Sequence, residues 1–196
     1  MRIVPLVSGG LDSTLMTLMA VESGYTVYPL FVDYGQRSRN QELAACRRLF
    51  LERHLPEPKV ADISGYGALI SSGLTDLRKD VFLDAFLPGR NLMFILIAAA
   101  YAYQVQARAI AIGLLDERSS IFPDQTRSFV TSAEKLISTA LSAKLLVLTP
   151  LMSLTKADVV RLAKRRGLTR TYSCHLGQPE PCGVCVACRE YQGLEV

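Results

Sequence analysis

Short apolar runs alternate with longer amphipathic segments along most of the chain. Each short run is almost continuously apolar, which is typical of strands covered on both faces in a parallel sheet. The predicted strands are residues 2–7, 26–33, 59–63, 109–113 and 145–148. The predicted helices are residues 12–22, 39–54, 90–107, 126–141 and 156–166. This order predicts an α/β fold with a doubly wound, mainly parallel five-stranded sheet and right-handed crossovers.

Two regions interrupt the alternation. Segment 64–89 is rich in glycine and serine and then strongly polar, which is long for a simple loop. It is therefore predicted to be either partly helical or a lid over an active site. From Tyr172 onward the apolar periodicity almost disappears, so something other than hydrophobic burial must order this tail. We expect an α/β domain over residues 1–171 and a tail, residues 172–196, packed on the same domain.

The composition of the 196-residue chain fits one well-packed core, with 49% hydrophobic residues. Its net charge of +4 comes from scattered basic residues, which favours an ordinary soluble surface over a nucleic-acid partner. The longest apolar run, residues 92–103, is too short to span a membrane. The apolar stretch at the amino end is too short for a secretory signal. We expect a cytoplasmic protein.

A glycine-containing loop follows the first predicted strand. Residues 8–14 read Ser-Gly-Gly-Leu-Asp-Ser-Thr and lead into a helix. The glycines let backbone N–H groups approach an anion, and the helix N-terminus adds partial positive charge. Neither a Walker loop nor a dinucleotide-binding fingerprint fits this string. It resembles the pyrophosphate loop (PP-loop) of the ATP pyrophosphatase superfamily. That resemblance implies a Rossmann-like sheet of the adenine nucleotide alpha-hydrolase type and AMP-forming chemistry.

Four of the five cysteines are clustered in the tail. They follow the spacing C-x7-C-x2-C-x2-C, namely Cys174, Cys182, Cys185 and Cys188. Two-residue spacers let neighbouring thiolates converge on one tetrahedral zinc ion, which would also order the tail. A four-iron cluster or a redox pair are the alternatives. Cys46, in the middle of a predicted helix, is expected to be buried filler.

The loop and the cysteine tail together resemble the 7-cyano-7-deazaguanine synthase family of the queuosine pathway. Further matches are Asp-Tyr-Gly-Gln-Arg at 33–37, Pro-Gly-Arg-Asn at 88–91, Phe-Pro-Asp at 122–124, Pro-Leu-Met at 150–152, and Lys156. The similarity covers nearly the whole chain. It implies an ATP-dependent carbon–nitrogen ligase that adenylates 7-carboxy-7-deazaguanine, forms the amide with ammonia, and converts the amide to the nitrile with a second ATP. The implied cofactors are ATP, Mg²⁺ and Zn²⁺. A homodimer is expected.

The resemblance also implies roles for individual residues. The implied ATP-binding residues are Val7, Ser8, Gly9, Gly10, Leu11, Asp12, Ser13, Thr14 and Asp33. The implied substrate-binding residues are Tyr34, Gln36, Arg90, Asn91 and Asp124. The implied catalytic residues are Asp12, Arg90 and Lys156, with the two cations neutralising charge on the α-phosphate. The structural alternatives are an ion pair for Arg90, a surface position for Lys156, a helix cap for Asn91 and a turn for Asp124. For Tyr34 and Gln36 the alternative is packing in the core or at its rim.

The chain departs from the family on the side of the presumed acyl acceptor. Ser38 replaces a histidine, Arg118 an acidic residue, and Gln125-Thr126 the usual Cys-Arg. After Cys174 the chain has His175-Leu176 where the family often has Tyr-Asn. These changes raise a second hypothesis, a divergent enzyme that passes the same acyl-adenylate to another amine, such as a protein N-terminus, and stops at the amide. Two further alternatives are a tRNA sulfur transferase of the same superfamily and a non-enzymatic zinc module that binds nucleic acid.

Overall fold

The computed structural model describes residues 1–194 and contains one six-stranded sheet. The strands are β1 (Arg2–Val7), β2 (Thr26–Val27), β3 (Leu30–Asp33), β4 (Lys59–Asp62), β5 (Ala109–Ala111) and β6 (Leu146–Leu148). The α-helices are α1 (Leu11–Glu22), α2 (Arg39–Glu52), α3 (Ser64–Leu69), α4 (Arg90–Gln104), α5 (Arg127–Ala140), α6 (Lys156–Arg165) and α7 (Val186–Arg189). Two 3-10 turns, Glu117–Ser119 and Pro123–Gln125, precede α5. The end of the predicted tail, residues 195–196, lies outside the described residues.

The strand order is β4-β3-β1-β5-β6, and β2 also pairs with β1. All of these pairings are parallel. The chain moves from β1 outward to β4, then crosses to β5 on the other side of β1 and continues to β6. A crevice therefore opens beyond the carboxyl ends of β1 and β5, which is where open α/β sheets bind ligands. The predicted doubly wound, parallel α/β fold is confirmed, but the sheet has six strands rather than the predicted five.

The central strand β1 is buried on both faces. Its side chains Ile3 and Val7 belong to a core shared with α1, α2 and α6. Val4 and Leu6 point to the opposite face and belong to a core shared with α4 and α5. This alternation explains the continuous apolar run in the sequence, since helices cover each side of the sheet.

The structure differs from the sequence prediction at two strands. The strand predicted over residues 26–33 is divided into β2 and β3, which pair with the same neighbour, β1. Pro29 lies at the break, and its lack of an N–H group removes a possible ladder hydrogen bond. The prediction that β4 is covered on both faces is wrong: at the edge of the sheet, most of its residues are exposed.

Segment 64–89 and the tail pack against one another. The segment is partly helical, beginning with α3, and it buries Leu74, Val81, Ala85 and Leu87. Val81 packs in a small cluster with Cys174 and Cys185 of the tail. Within residues 1–194, none of the helices combines the length and the apolar character needed to cross a membrane.

Candidate active site

A cavity of about 270 Å³ lies beyond the carboxyl ends of β1, β3 and β5. Three parts of the chain form its walls. The loop after β1 forms the first wall, and the end of β3 together with the start of α4 forms the second. The third wall is made by the tail, through residues 172, 173, 175, 186, 187 and 190. The tail is therefore part of the cavity rather than an appendage to it.

The loop after β1 has the geometry of an anion-binding turn. Gly9 has a φ of 78°, and α1 begins two residues later, so N–H groups of the first helical turn point out of the helix. The Ser8 and Ser13 hydroxyls lie 3.2 Å apart, and both residues line the cavity. The Thr14 hydroxyl instead donates to the Gly10 carbonyl at 2.8 Å and lies outside the cavity.

Lys156 joins the loop to the tail. Its Nζ lies 2.9 Å from both carboxylate oxygens of Asp12 and 3.0 Å from an oxygen of Glu190. The same ammonium lies 4.4 Å from the centre of the Tyr191 ring. Burial alone would lower the pKa of this ammonium, but Asp12 and the two tail residues outweigh that effect and raise its pKa. Lys156 therefore remains a cation at the edge of the phosphate loop.

Arg90 and two aromatic rings form the second wall. The rings of Tyr34 and Phe94 have centroids 5.3 Å apart and are inclined by 52°. The Arg90 guanidinium lies 6.0 Å from the Tyr34 ring centre and 5.9 Å from that of Phe94. Flat apolar surfaces next to a cation suit a planar ligand that carries negative charge.

A buried carboxyl group, Glu42, lies in the same wall. It accepts hydrogen bonds from Gln36 Nε2 at 3.0 Å and from Ser38 Oγ at 2.7 Å. Burial raises the pKa of Glu42, and these two hydrogen bonds oppose the rise. Burial also raises the pKa of Tyr34 to about 12. The polar groups of this wall are thus connected to one another, with Gln36 at the centre.

Sequence reasoning did not assign His175 and Glu42 to the site. His175 follows the first cysteine of the tail, and its side chain lines the cavity. Burial, with a smaller contribution from the charge of Arg90, lowers the pKa of His175 to about 4. One feature of the sequence could have indicated Glu42: it is an acidic residue in the first turn of a helix that follows the end of a strand. That signal is weak, because such residues commonly serve only the helix terminus.

Four predicted site residues lie beside the cavity rather than in its lining, namely Gly9, Thr14, Asp33 and Asp124. Asp33 accepts hydrogen bonds from Gly35 N at 3.1 Å and Arg39 Nε at 2.8 Å. Asn91 lines the cavity, and its Nδ2 donates to the Asp124 carbonyl at 3.0 Å. This bond fixes the 3-10 turn that contains Asp124 against the start of α4. The remaining predicted residues that line the cavity are Val7, Ser8, Gly10, Leu11, Asp12, Ser13, Tyr34, Gln36, Arg90 and Lys156.

Four of the six positions at which the sequence departs from the family, all of them before the tail, have distinct contacts. Ser38 hydrogen-bonds Glu42, as described above. Arg118 pairs with Asp116 at 2.5 Å. The Gln125 side-chain carbonyl accepts two backbone N–H groups at 3.2 Å, and Gln125 also lines the cavity. Thr126 caps α5. Two of these positions, Ser38 and Gln125, therefore lie at or next to the cavity.

The four tail cysteines can hold a metal ion. Their Sγ atoms lie within 4.8 Å of one another, and those of Cys182 and Cys188 are 3.9 Å apart. Zn–S bonds of ~2.3 Å in a tetrahedron place sulfurs ~3.8 Å apart, so this spacing fits. The N–H groups of Cys182, Cys185 and Cys188 each donate to the preceding cysteine of the cluster at 3.4 Å. Such donors orient and stabilise thiolate ligands.

Comparison with known proteins identifies relatives along the whole chain. The family model described as "Queuosine biosynthesis protein QueC" matches residues 2–194. A 7-cyano-7-deazaguanine synthase from Sulfurovum sp. (strain NBC37-1) is 35% identical over 208 residues, which cover 100% of this chain and 94% of the relative. The synthase of the same name from Campylobacter concisus (strain 13826) is 37% identical and covers 96% of this chain and 90% of the relative.

Solved structures with the same fold have more distant sequences. The U34-tRNA thiolase NcsA from Methanococcus maripaludis gives a TM-score of 0.58 at 17% identity, covering 92% of this chain and 61% of that protein. The NMN synthetase from Francisella tularensis gives a TM-score of 0.55 at 19% identity, covering 93% and 70%. These similarities support the PP-loop fold alone. The family match over residues 2–194, with relatives above 30% identity, shows that this chain belongs to the QueC family of queuosine biosynthesis proteins.

Proposed function

We propose that the protein is an ATP-dependent carbon–nitrogen ligase that converts 7-carboxy-7-deazaguanine to 7-cyano-7-deazaguanine. The observation that carries this proposal is one cavity in which two of the three walls differ in chemistry. One wall has the anion-binding turn and Lys156, and the other has Arg90 beside Tyr34 and Phe94. A nucleotide and a planar acid can therefore meet in one place. The names of the relatives support this choice of acid and product.

The first step joins the acid to AMP. A carboxylate oxygen of the acid attacks the α-phosphorus of ATP, and the bond to the β-phosphate oxygen breaks. The N–H groups of the turn and the Ser8 and Ser13 hydroxyls would hold the departing pyrophosphate. Lys156 and Arg90 would neutralise the charge on the α-phosphate from opposite sides. Mg²⁺ bound with ATP would spread the remaining phosphate charge, and the Asp12 carboxylate in the cavity lining would help to hold it.

The later steps form and dehydrate an amide. Ammonia attacks the acyl carbon, AMP leaves, and a proton is released. The oxygen of the amide then attacks the α-phosphorus of a second ATP and pyrophosphate leaves. Loss of AMP and of both protons on the amide nitrogen gives the nitrile. The same two walls would serve both activations. In each activation, an oxygen atom of a group attached to the planar ring attacks the α-phosphorus of ATP.

The reaction can be tested by mass analysis of the products. Protein incubated with 7-carboxy-7-deazaguanine, ATP, Mg²⁺ and ammonia is expected to release AMP and pyrophosphate and to form the nitrile. Omitting ammonia should leave the acid or its adenylate without amide. Formation of ADP instead of AMP would contradict the proposal.

Acyl transfer to another amine is the second candidate. It is favoured by Ser38 and Gln125, two positions that depart from the family and lie at or next to the cavity. This form of the enzyme would make the same adenylate and stop at the amide. Its signature in the same assay is amide without nitrile, or product only after addition of a protein with a free N-terminus.

We also propose that the cysteine cluster holds one zinc ion with a structural role. The cluster supplies four thiolates, which close a tetrahedral shell. Purified protein is expected to contain one zinc per chain and neither iron nor labile sulfide, as measured by elemental analysis. Cys185→Ser should lose the metal, whereas Cys46→Ala, at a buried cysteine outside the cluster, should retain it. Iron with sulfide would instead favour sulfur transfer.

A further inference from the structure

We propose that His175 and Arg90 together bind the carboxylate of the acid substrate. This inference rests on the function proposed above and adds the recognition of the reacting group. It starts from the buried Nδ1 atom of His175, which has no hydrogen-bond partner within residues 1–194. Buried polar atoms nearly always have a partner, so one without a partner at the wall of a cavity indicates a ligand.

The backbone and the side chain of His175 face different neighbours. The backbone of His175 directly follows Cys174, which belongs to the cysteine cluster. Its side chain lines the cavity, on the same wall as Tyr172 and Ser173. The cysteine cluster therefore anchors the backbone, while the imidazole is left for a ligand. A side-chain substitution at this position should leave the neighbouring cysteine in place.

The surroundings of His175 favour an anionic ligand. Arg90 and His175 both line the cavity, and the Arg90 guanidinium is a cation. A group that accepts a hydrogen bond from Nδ1 and also carries negative charge would satisfy both side chains. The nearby Glu42 carboxyl already accepts hydrogen bonds from Gln36 and Ser38, so it does not fill this role.

The carboxylate of the acid fits this position better than the phosphates of ATP. The β- and γ-phosphates have their own donors in the turn after β1, so Arg90 is left for the α-phosphate and for the carboxylate that attacks it. Arg90 lies next to Tyr34 and Phe94, where the planar ring of the acid would stack. A carboxylate on that ring would then project between Arg90 and His175, and it would face the α-phosphate across the cavity.

Binding measurements with two related ligands test this inference. We expect His175→Leu to weaken binding of 7-carboxy-7-deazaguanine about tenfold, the size of one lost hydrogen bond to a charged group. Binding of the nitrile, which lacks the carboxylate, and of ATP should change less than about twofold. His175→Asn places an amide nitrogen close to the position of Nδ1 and should restore most of the affinity. His54→Asn, at an exposed histidine with a positive φ, is the matched control.

The outcomes separate this inference from the proposed function. Equal losses for acid and nitrile, or no loss for the acid, would overturn the role of His175 while leaving the function in place. Failure of the unsubstituted protein to bind the acid would overturn both. Zinc content measured on each variant shows whether the cysteine cluster is intact. If His175→Leu loses its metal, His175→Asn is compared with the unsubstituted protein instead. An affinity of His175→Asn for the acid close to that of the unsubstituted protein supports the role of His175 in binding the carboxylate. A loss of affinity that the acid and the nitrile share contradicts that role.

Discussion

Gly9→Ala is expected to abolish ATP binding, whereas Gly24→Ala is expected to leave it unchanged. Both glycines have a positive φ, 78° for Gly9 and 76° for Gly24. Alanine in this conformation costs about 1–2 kcal/mol at either position. At Gly9 the added Cβ would also lie 2.5 Å from the Glu42 carbonyl oxygen and 2.7 Å from the Cys46 nitrogen, both in the backbone of α2. At Gly24 nothing lies within 4 Å.

The difference in ATP affinity between the two variants measures the effect of the close contact between the turn and α2. Since backbone atoms of a helix cannot move aside cheaply, the turn itself must shift, and its N–H groups would no longer converge on phosphate. ATP affinity measured by calorimetry, together with the midpoint of thermal unfolding, gives the comparison. A small and equal loss of stability in both variants, with ATP affinity retained in Gly9→Ala, would show that the turn does not depend on this contact.

The sequence predicted the parts of the structure that depend on local patterns. The strand ends, the turn after β1 and the cysteine spacing each fall within a short stretch of chain, where periodicity and glycine placement are informative. The exposed edge strand β4 was not predicted, because the position of a strand in a sheet cannot be read from its own residues. The break at Pro29 had a local signal, the missing N–H group of proline, but the apolar run around it was interpreted as one strand.

The parts of the site that the sequence did not predict are formed by contacts between segments far apart in the chain. Tyr172 N donates to the Gly9 carbonyl at 3.0 Å, and this contact brings the tail to the turn after β1. It also places His175 and Glu190 in the cavity, although spacing within the tail predicts only its cysteines.

The predicted homodimer stays a prediction; Leu96 and Tyr103 of α4 are exposed and available for such a contact.

Lys156→Met is expected to lower the rate of adenylation by about 100- to 1,000-fold, the range found when a single group that stabilises transition-state charge is removed. Lys156 is buried beside the turn, and its raised pKa keeps it protonated at any ordinary assay pH. Pyrophosphate exchange into ATP in the presence of the acid measures this step without the later ones. ATP affinity should fall much less than the rate, because the turn keeps its own N–H donors.

Two further variants separate catalysis from support of the fold. Lys135→Met, at an exposed lysine of α5, controls for loss of a helical lysine and should leave the rate unchanged. Glu190→Gln removes one carboxylate partner of Lys156 but leaves the bonds to Asp12, so we expect less than about a tenfold decrease. If Lys156→Met lowered the unfolding midpoint and kept the rate within about threefold, the lysine would be a structural link between the turn and the tail. A large loss of rate with an unchanged midpoint requires instead that the ammonium act on the phosphate during the reaction.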